Sequence, residues 1–392
     1  MKILLIHNAY GAFSGEEAVV RDIRLLLEDH GHEVVVYSRS SEEIINKAFG
    51  EIRGFFGGIY NPFTARDLKR FIENNGPDIA HVHNLFPLIS PSALVACKQA
   101  GLPVVMTVHN YRLICPNGLF MSHGEVCEKC SKGREYWCLL KNCEGSLAKS
   151  LGYGLRNWGA RKGRFFLDHV DVFATLTEFQ KKILIREGYP VEQIVVIPNM
   201  VTDAVEESSE NRDYVGFAGR ISKEKGIQVL IDASRRIPDI QFRAAGNFER
   251  LPNLPTQAPK NFKFLGHLSK ESLDAFYASC RMFVLPSTWF EGFPIVLVET
   301  MLRGIPIVCS RIGGLQDIVD DGVSGLLFEP GNSEQLADKI KYLWDKPELC
   351  KKMGQEGRKK ALREYTPDRY YKRIIEIYEQ VIAASKRKNP TA

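Results

Sequence analysis

The chain has no uninterrupted apolar stretch of about 20 residues, so no transmembrane helix is expected. Its N-terminus meets polar His7-Asn8 after one short apolar run. A secretory signal would need a longer apolar region and a small-residue cleavage site, so a cytoplasmic chain is expected, without stable disulfides. Charge of one sign is scarce: 52 Lys plus Arg against 47 Asp plus Glu leave +5 over 392 residues. Spread over that length, such a charge argues against nucleic acid as a partner. Internal repeats and low-complexity tracts are missing, and 44% hydrophobic with 25% charged residues excludes disordered, collagenous and coiled-coil classes. What remains is a soluble chain long enough for about two domains.

The chain alternates short apolar runs with helical periodicity. Residues 3–7 read as a buried parallel strand, Gly11 to Gly15 as a flexible turn, and Ala18, Val19, Ile23, Leu26 and Leu27 as one face of a helix stopped by Gly31. Glu33 to Tyr37 is the next strand, which completes a βαβ unit. Further strands are expected at Ile79–His83, Val104–His109, Val170–Leu176 and Ile194–Ile197. Residues 202–213 are polar and read as a linker. A second alternation follows, with strands at Tyr214–Ala218, Gln241–Ala245, Met282–Pro286, Ile307–Cys309 and Gly325–Phe328. The expected fold class is α/β: a first domain over 1–201, a second over 214–366, both Rossmann-like and doubly wound, facing across a cleft. A last helix near Pro367–Ala384 carries Tyr370, Ile374, Ile377, Tyr378 and Val381 at helical spacing.

Three segments of the second domain carry chemistry. In Ser287 to Glu299, Pro294 suits a helix start, which puts Glu291 in the preceding loop and Glu299 inside the helix. Two such carboxylates can grip two polyol ends of one ligand, or serve as a loop charge and an ordinary helix residue. Gly219-Arg220 and Lys225 follow a strand end, where α/β domains bind ligands; Arg clamps phosphate and Lys adds a compact charge. Gly313-Gly314 also lies between strand and helix and offers backbone amides to a phosphate.

Together, Gly-Arg-x4-Lys-Gly, Glu-Gly-Phe-Pro with Glu299 eight residues after Glu291, Gly-Gly, and the glycines at 322 and 325 resemble the group-1, family-four retaining glycosyltransferases of the GT-B fold. The resemblance is strongest over residues 214–331. It implies that Arg220 and Lys225 neutralise the diphosphate of a nucleotide-sugar, and that Glu299 binds the ribose. Glu291, with the amides of Gly292 and Phe293 ahead of Pro294, holds the donor sugar. Gly15 lets the N-terminal backbone approach the phosphate, and His109 lies beside the donor sugar. By its residues alone, His109 can equally be a strand-end histidine satisfied by a carbonyl. The family has Pro-Glu where this chain has Gln316-Asp317, which keeps a carboxylate. No Asp-x-Asp occurs, so no metal cofactor is expected for catalysis. The implied partners are a nucleotide-diphosphate-sugar donor and a glycan or lipid-linked acceptor. The rivals are a nucleotide-sugar epimerase of the same layout and a non-catalytic zinc-bearing binding protein.

Residues 111–168 interrupt the rhythm. Cys115, Cys127, Cys130, Cys138 and Cys143 crowd there, and four of them can form a structural zinc site, stay free, or pair. Residues 141–170 carry six Lys and Arg against two Asp and Glu. Within 147–167, Leu147, Leu151, Leu155 and Trp158 share one helical face, with Lys149, Arg156, Arg161, Lys162 and Arg164 supplying a basic side. Such a stretch either lies on an anionic membrane surface, peripheral to its inner face, or packs as an ordinary helix on the first domain.

Overall fold

The computed structural model describes residues 1–9, 15–40, 58, 60–202, 212–249 and 251–388. The Gly11–Ser14 part of the N-terminal turn and most of the expected linker lie outside the described residues. The chain divides into two units. The first comprises Met1–His123, Cys127–Pro198 and Tyr370–Ala392; the second comprises Gly124–Val126 and Asn199–Arg369.

The first unit is built on six parallel strands: β1 (Lys2–Ala9), β2 (Glu33–Ser40), β3 (Ile79–Val82), β4 (Val104–Val108), β5 (Val172–Thr175) and β6 (Ile194–Val196), in the order β2-β1-β3-β4-β5-β6. Ile3, Leu4, Leu5 and Ile6 of β1 are all fully buried, because helices cover both faces of a parallel sheet. Each such side chain contributes about 1.5–3 kcal/mol on leaving water. The helix Gly15–Asp29 buries Val19, Val20, Ile23, Leu26 and Leu27, the stripe its periodicity predicts, and Gly31 at φ 78° ends it in a conformation that favours glycine. The terminal helix Pro367–Lys388 buries Tyr370, Ile374, Tyr378 and Val381. From Tyr370 onward it belongs to the first unit, where Tyr371 stacks on His30 at 3.7 Å and shares a 2.9 Å hydrogen bond with His32.

The second sheet is also parallel and six-stranded: β7 (Tyr214–Ala218), β8 (Phe242–Ala245), β9 (Phe262–Gly266), β10 (Cys280–Leu285), β11 (Ile307–Ser310) and β12 (Gly325–Phe328), in the order β9-β8-β7-β10-β11-β12. The apolar runs predict five of these strands and not β9. That strand is short, lies at the sheet edge and is half-buried beyond Phe262, so it carries no long apolar run. Among the described residues, no helix is long and apolar enough to cross a membrane.

Candidate functional site

In the second sheet the chain starts at β7, winds outward through β8 and β9, then crosses back to β10. The order therefore reverses between β7 and β10, where ligands bind in open α/β sheets. Two loops leave the carboxyl ends of those strands. One follows β7 and holds Gly219, Arg220 and Lys225; the other follows β10 and holds Glu291.

Backbone contacts lock these loops together. Thr288 N–H donates to the Glu224 carbonyl at 2.9 Å. Gly226 has φ 74°, and a Cβ there would lie 1.7 Å from the Pro286 oxygen. Gly219 has φ 136°, and its carbonyl lies 1.8 Å from where a Cβ of Gly246 would sit. Both approaches require glycine.

The side chains converge on Glu291, which is buried. Lys225 Nζ donates to its Oε1 at 2.8 Å and its Oε2 at 3.1 Å. Ser287 Oγ donates to Oε1 at 2.5 Å and Trp289 Nε1 at 2.8 Å. A carboxylate gripped by three donors is held in a single orientation. Arg220 is exposed and pairs with Glu224 at 2.9 Å. Glu299 lies in the helix Ile295–Leu302, where it accepts from Tyr277 Oη at 3.1 Å. Pro294 is the cap of that helix, just ahead of its first residue, and Phe293 packs edge-on against Tyr365 at 5.4 Å. Gly292 links the Glu291 loop to that cap.

The Gly-Gly pair acts differently from the expectation that its amides line a phosphate. Gly314 N–H donates to the Glu291 carbonyl at 2.9 Å, and a Cβ on Gly313 would come within 2.8 Å of the Glu291 nitrogen. These glycines let one loop close on another. Two hydroxyls nearby, Ser222 Oγ after β7 and Ser310 Oγ at the end of β11, are buried without a protein partner.

The first unit presents a different constellation at its own reversal point, between β1 and β3. His7 belongs to β1, His81 to β3, and His83 directly follows β3. His109, just past β4, is half-buried and shares a 2.9 Å hydrogen bond with His83. His81 is hydrogen-bonded on both ring nitrogens, to Thr107 Oγ1 at 2.7 Å and Tyr378 Oη at 2.6 Å. Neither ring nitrogen of His7, nor Nε2 of His83, has a protein partner. Burial lowers His81 to about 3 and His109 to about 4, and it pushes His7 and His83 down as well. Burial thus favours the neutral form of all four rings, and a neutral imidazole donates a hydrogen bond from one nitrogen and accepts at the other. Of the four, only His109 is singled out by the family resemblance. The signal for the others was their place at the ends of adjacent strands. Gly15 opens the helix after β1, with nothing within 4 Å of where a Cβ would be.

For the cysteine cluster the sequence leaves zinc, free thiols and disulfides open. All nine cysteines are free, and among the described residues no group of three or more His, Cys, Asp or Glu is placed to hold a metal. No disulfide joins them; Cys115 lies within hydrogen-bonding reach of Cys130, and Cys138 of Cys143. Cys115 also donates to Asn117 Oδ1 at 2.9 Å, and Cys127 is half-buried.

Comparison with known proteins bears on both units. Residues 13–204 match Glycosyltransferase Family 4, and residues 201–360 match Glycosyl transferases group 1. An uncharacterized glycosyltransferase of Methanocaldococcus jannaschii is 25% identical over 97% of this chain and 99% of its own. The capsular polysaccharide biosynthesis glycosyltransferase CapM of Staphylococcus aureus is 25% identical over 51% of this chain and 55% of its own length. Among solved structures, Anabaena HepE in complex with UDP and glucose has TM-score 0.68 at 20% identity, covering 97% of this chain and all of that one. That likeness concerns the fold. With two parallel-sheet units of the GT-B class and two adjoining family matches that run from residue 13 to residue 360, this chain belongs to the group-1 glycosyltransferases.

Proposed function

We propose that this glycosyltransferase moves a sugar from a nucleotide diphosphate to a hydroxyl of a glycan or lipid-linked acceptor, with retention of anomeric configuration and without a metal. The observation that carries the reading is the Lys225–Glu291 pair at the reversal point of the second sheet. When the sugar–phosphate bond breaks, its electron pair goes to the diphosphate and positive charge builds on the sugar. Lys225 and Arg220 meet the first charge. One well-aimed donor of this kind lowers a barrier by about 3–4 kcal/mol. Glu291 accepts from donor-sugar hydroxyls, Gly292 and Phe293 offer amides beside it, and Glu299 accepts from ribose. The orphaned Ser222 hydroxyl fits a polar ligand in the same loop. Gly15 leaves its backbone open to a phosphate, and neutral His109 offers a hydrogen bond to the donor sugar without adding charge. The acceptor oxygen attacks from the face the diphosphate leaves, and its proton passes to the departing phosphate oxygen.

The absence of Asp-x-Asp and the presence of two cations after β7 support metal independence. HepE was solved with UDP-glucose, and the similarity to a capsular polysaccharide enzyme supports a surface-glycan pathway. The test is turnover of a nucleotide-sugar panel with glycan and lipid-linked acceptors in chelator, with the product's anomeric configuration read by NMR. Donor conversion with no acceptor present would replace this reading with epimerisation. Inverted product would remove retention, and restored turnover only with added metal would remove metal independence.

A further inference from the structure

The helix Leu147–Lys162 is inside out. Its buried positions are Ser150, Gly152, Gly154, Arg156, Asn157 and Ala160. Its apolar stripe faces solvent: Leu147 is 64% exposed, Leu151 40%, Leu155 37% and Trp158 49%. A helix that belongs to a globular unit ordinarily does the reverse.

Hydrogen bonding accounts for the inversion. Buried Arg156 donates from Nη2 to the Pro116 carbonyl at 2.5 Å and from Nε to Asn157 Oδ1 at 3.1 Å. Asn157 Nδ2 donates to the Arg112 carbonyl at 2.6 Å, and Ser150 Oγ donates to Asn142 Oδ1 at 3.2 Å. Gly154 allows close approach, since a Cβ there would sit 3.3 Å from the Glu135 carbonyl oxygen. These bonds tie the polar, small face to the Cys-rich segment. Rotating the helix to bury its leucines would strand Arg156 and Asn157, so the outward stripe is built in. The short helix Tyr136–Leu140 beside it leaves Tyr136 and Leu140 exposed as well.

We infer that this stripe docks the first unit on an anionic lipid surface. Single exposed apolar residues are ordinary, but a four-residue stripe on one helix face is a surface waiting for an apolar partner. Charge chooses among partners. Lys162 continues the stripe one turn beyond Trp158, exposed Arg161 and Arg164 flank that end, and exposed Lys149 lies near the other. Glu135 and Asp168 pair with Arg161 and Arg164, which leaves Lys149 and Lys162 as added positive charge. An anionic bilayer supplies apolar depth and negative headgroups together, whereas a second copy of the chain would bring the same basic residues. The docking stands apart from the sugar-transfer reading, because it needs no nucleotide.

The experiment floats the full chain with vesicles of phosphatidylcholine alone and of phosphatidylcholine mixed with phosphatidylglycerol, at low and high salt. Binding is expected only to the mixed vesicles, and it weakens with salt. The triple variant Leu147→Ser/Leu151→Ser/Leu155→Ser loses affinity at least about 100-fold, and Lys162→Ala about fivefold. Lys162→Ala removes only an exposed charge, so it keeps the test valid should the triple variant fold poorly. The proposal is overturned if wild type ignores the anionic lipid, or if a folded triple variant floats equally well. It is also overturned if sedimentation shows self-association through this helix with no flotation.

Discussion

The two units share a plan and differ in what they place on it. Each is a six-stranded parallel sheet, and each gathers its polar side chains where the strand order reverses. The second unit builds a charged device there: a buried carboxylate held by a lysine, a serine and an indole. The first builds a neutral one from His7, His81, His83 and His109. The same backbone geometry therefore serves opposite electrostatic ends. On the proposed reading, the cations Lys225 and Arg220 face the departing diphosphate, and the uncharged imidazoles offer hydrogen bonds without adding charge.

Acid should separate the units most strongly. Burial puts His81 at about 3, His109 at about 4 and His83 well below its ordinary value, all beneath the unfolded value near 6.5. Below pH 6.5 the unfolded chain binds protons that the native unit refuses. Stability is therefore constant above 6.5 and falls as pH drops toward the native values. His81 and His109 each contribute about 1.4 kcal/mol per pH unit, so the two together approach about 3 kcal/mol between pH 6 and 5, and His83 adds in the same direction. Urea melts at pH 7, 6 and 5 should show the first unit weakening. The second unit, whose sole histidine is His267, should hold. A flat first-unit response would break the comparison.

Next in size is Lys225→Ala. Sugar transfer should fall about 10²–10³-fold while the acid response of the first unit is unchanged. Activity within tenfold of wild type would remove the charged device from the reaction. Tyr378→Phe removes a hydrogen-bond partner of buried His81 and should cost the first unit about 1–3 kcal/mol in denaturant melts. It should also leave donor affinity, measured by calorimetry, unaltered. Smallest is Asn332→Ala. Asn332 caps the helix Ser333–Trp344 by accepting from Gln335 N–H, and its loss should lower second-unit stability by about 1 kcal/mol. A shift of the first transition instead would show that the two units do not melt independently.

Much of the fold was readable because a parallel strand buried on both faces leaves a continuous apolar run, as in Ile3–Ile6 and Met282–Leu285. Strand β9 escaped because an edge strand need bury only part of itself. In the second site, Arg220, Lys225 and Glu291 could be named from loop positions after strands, and Glu299 from its place inside the helix that follows. The grip on Glu291 by Ser287 and Trp289 could not, because a side chain's direction in a loop is decided by its neighbours. The histidines show the same limit at longer range. His83 and His109 are 26 residues apart, and nothing in their spacing states that their rings meet at 2.9 Å.

The amino-acid sequence by itself determined the α/β class, the order of elements and the stripe Leu147, Leu151, Leu155 and Trp158. Each of these follows from local periodicity and chain connectivity. Only the tertiary structure decided which way that stripe points, which thiols lie side by side, and which donors surround Glu291. A helix's periodicity defines a face but not what the face meets. That choice was made by Arg156 and Asn157, whose buried hydrogen bonds hold the polar side inward and leave the leucines out.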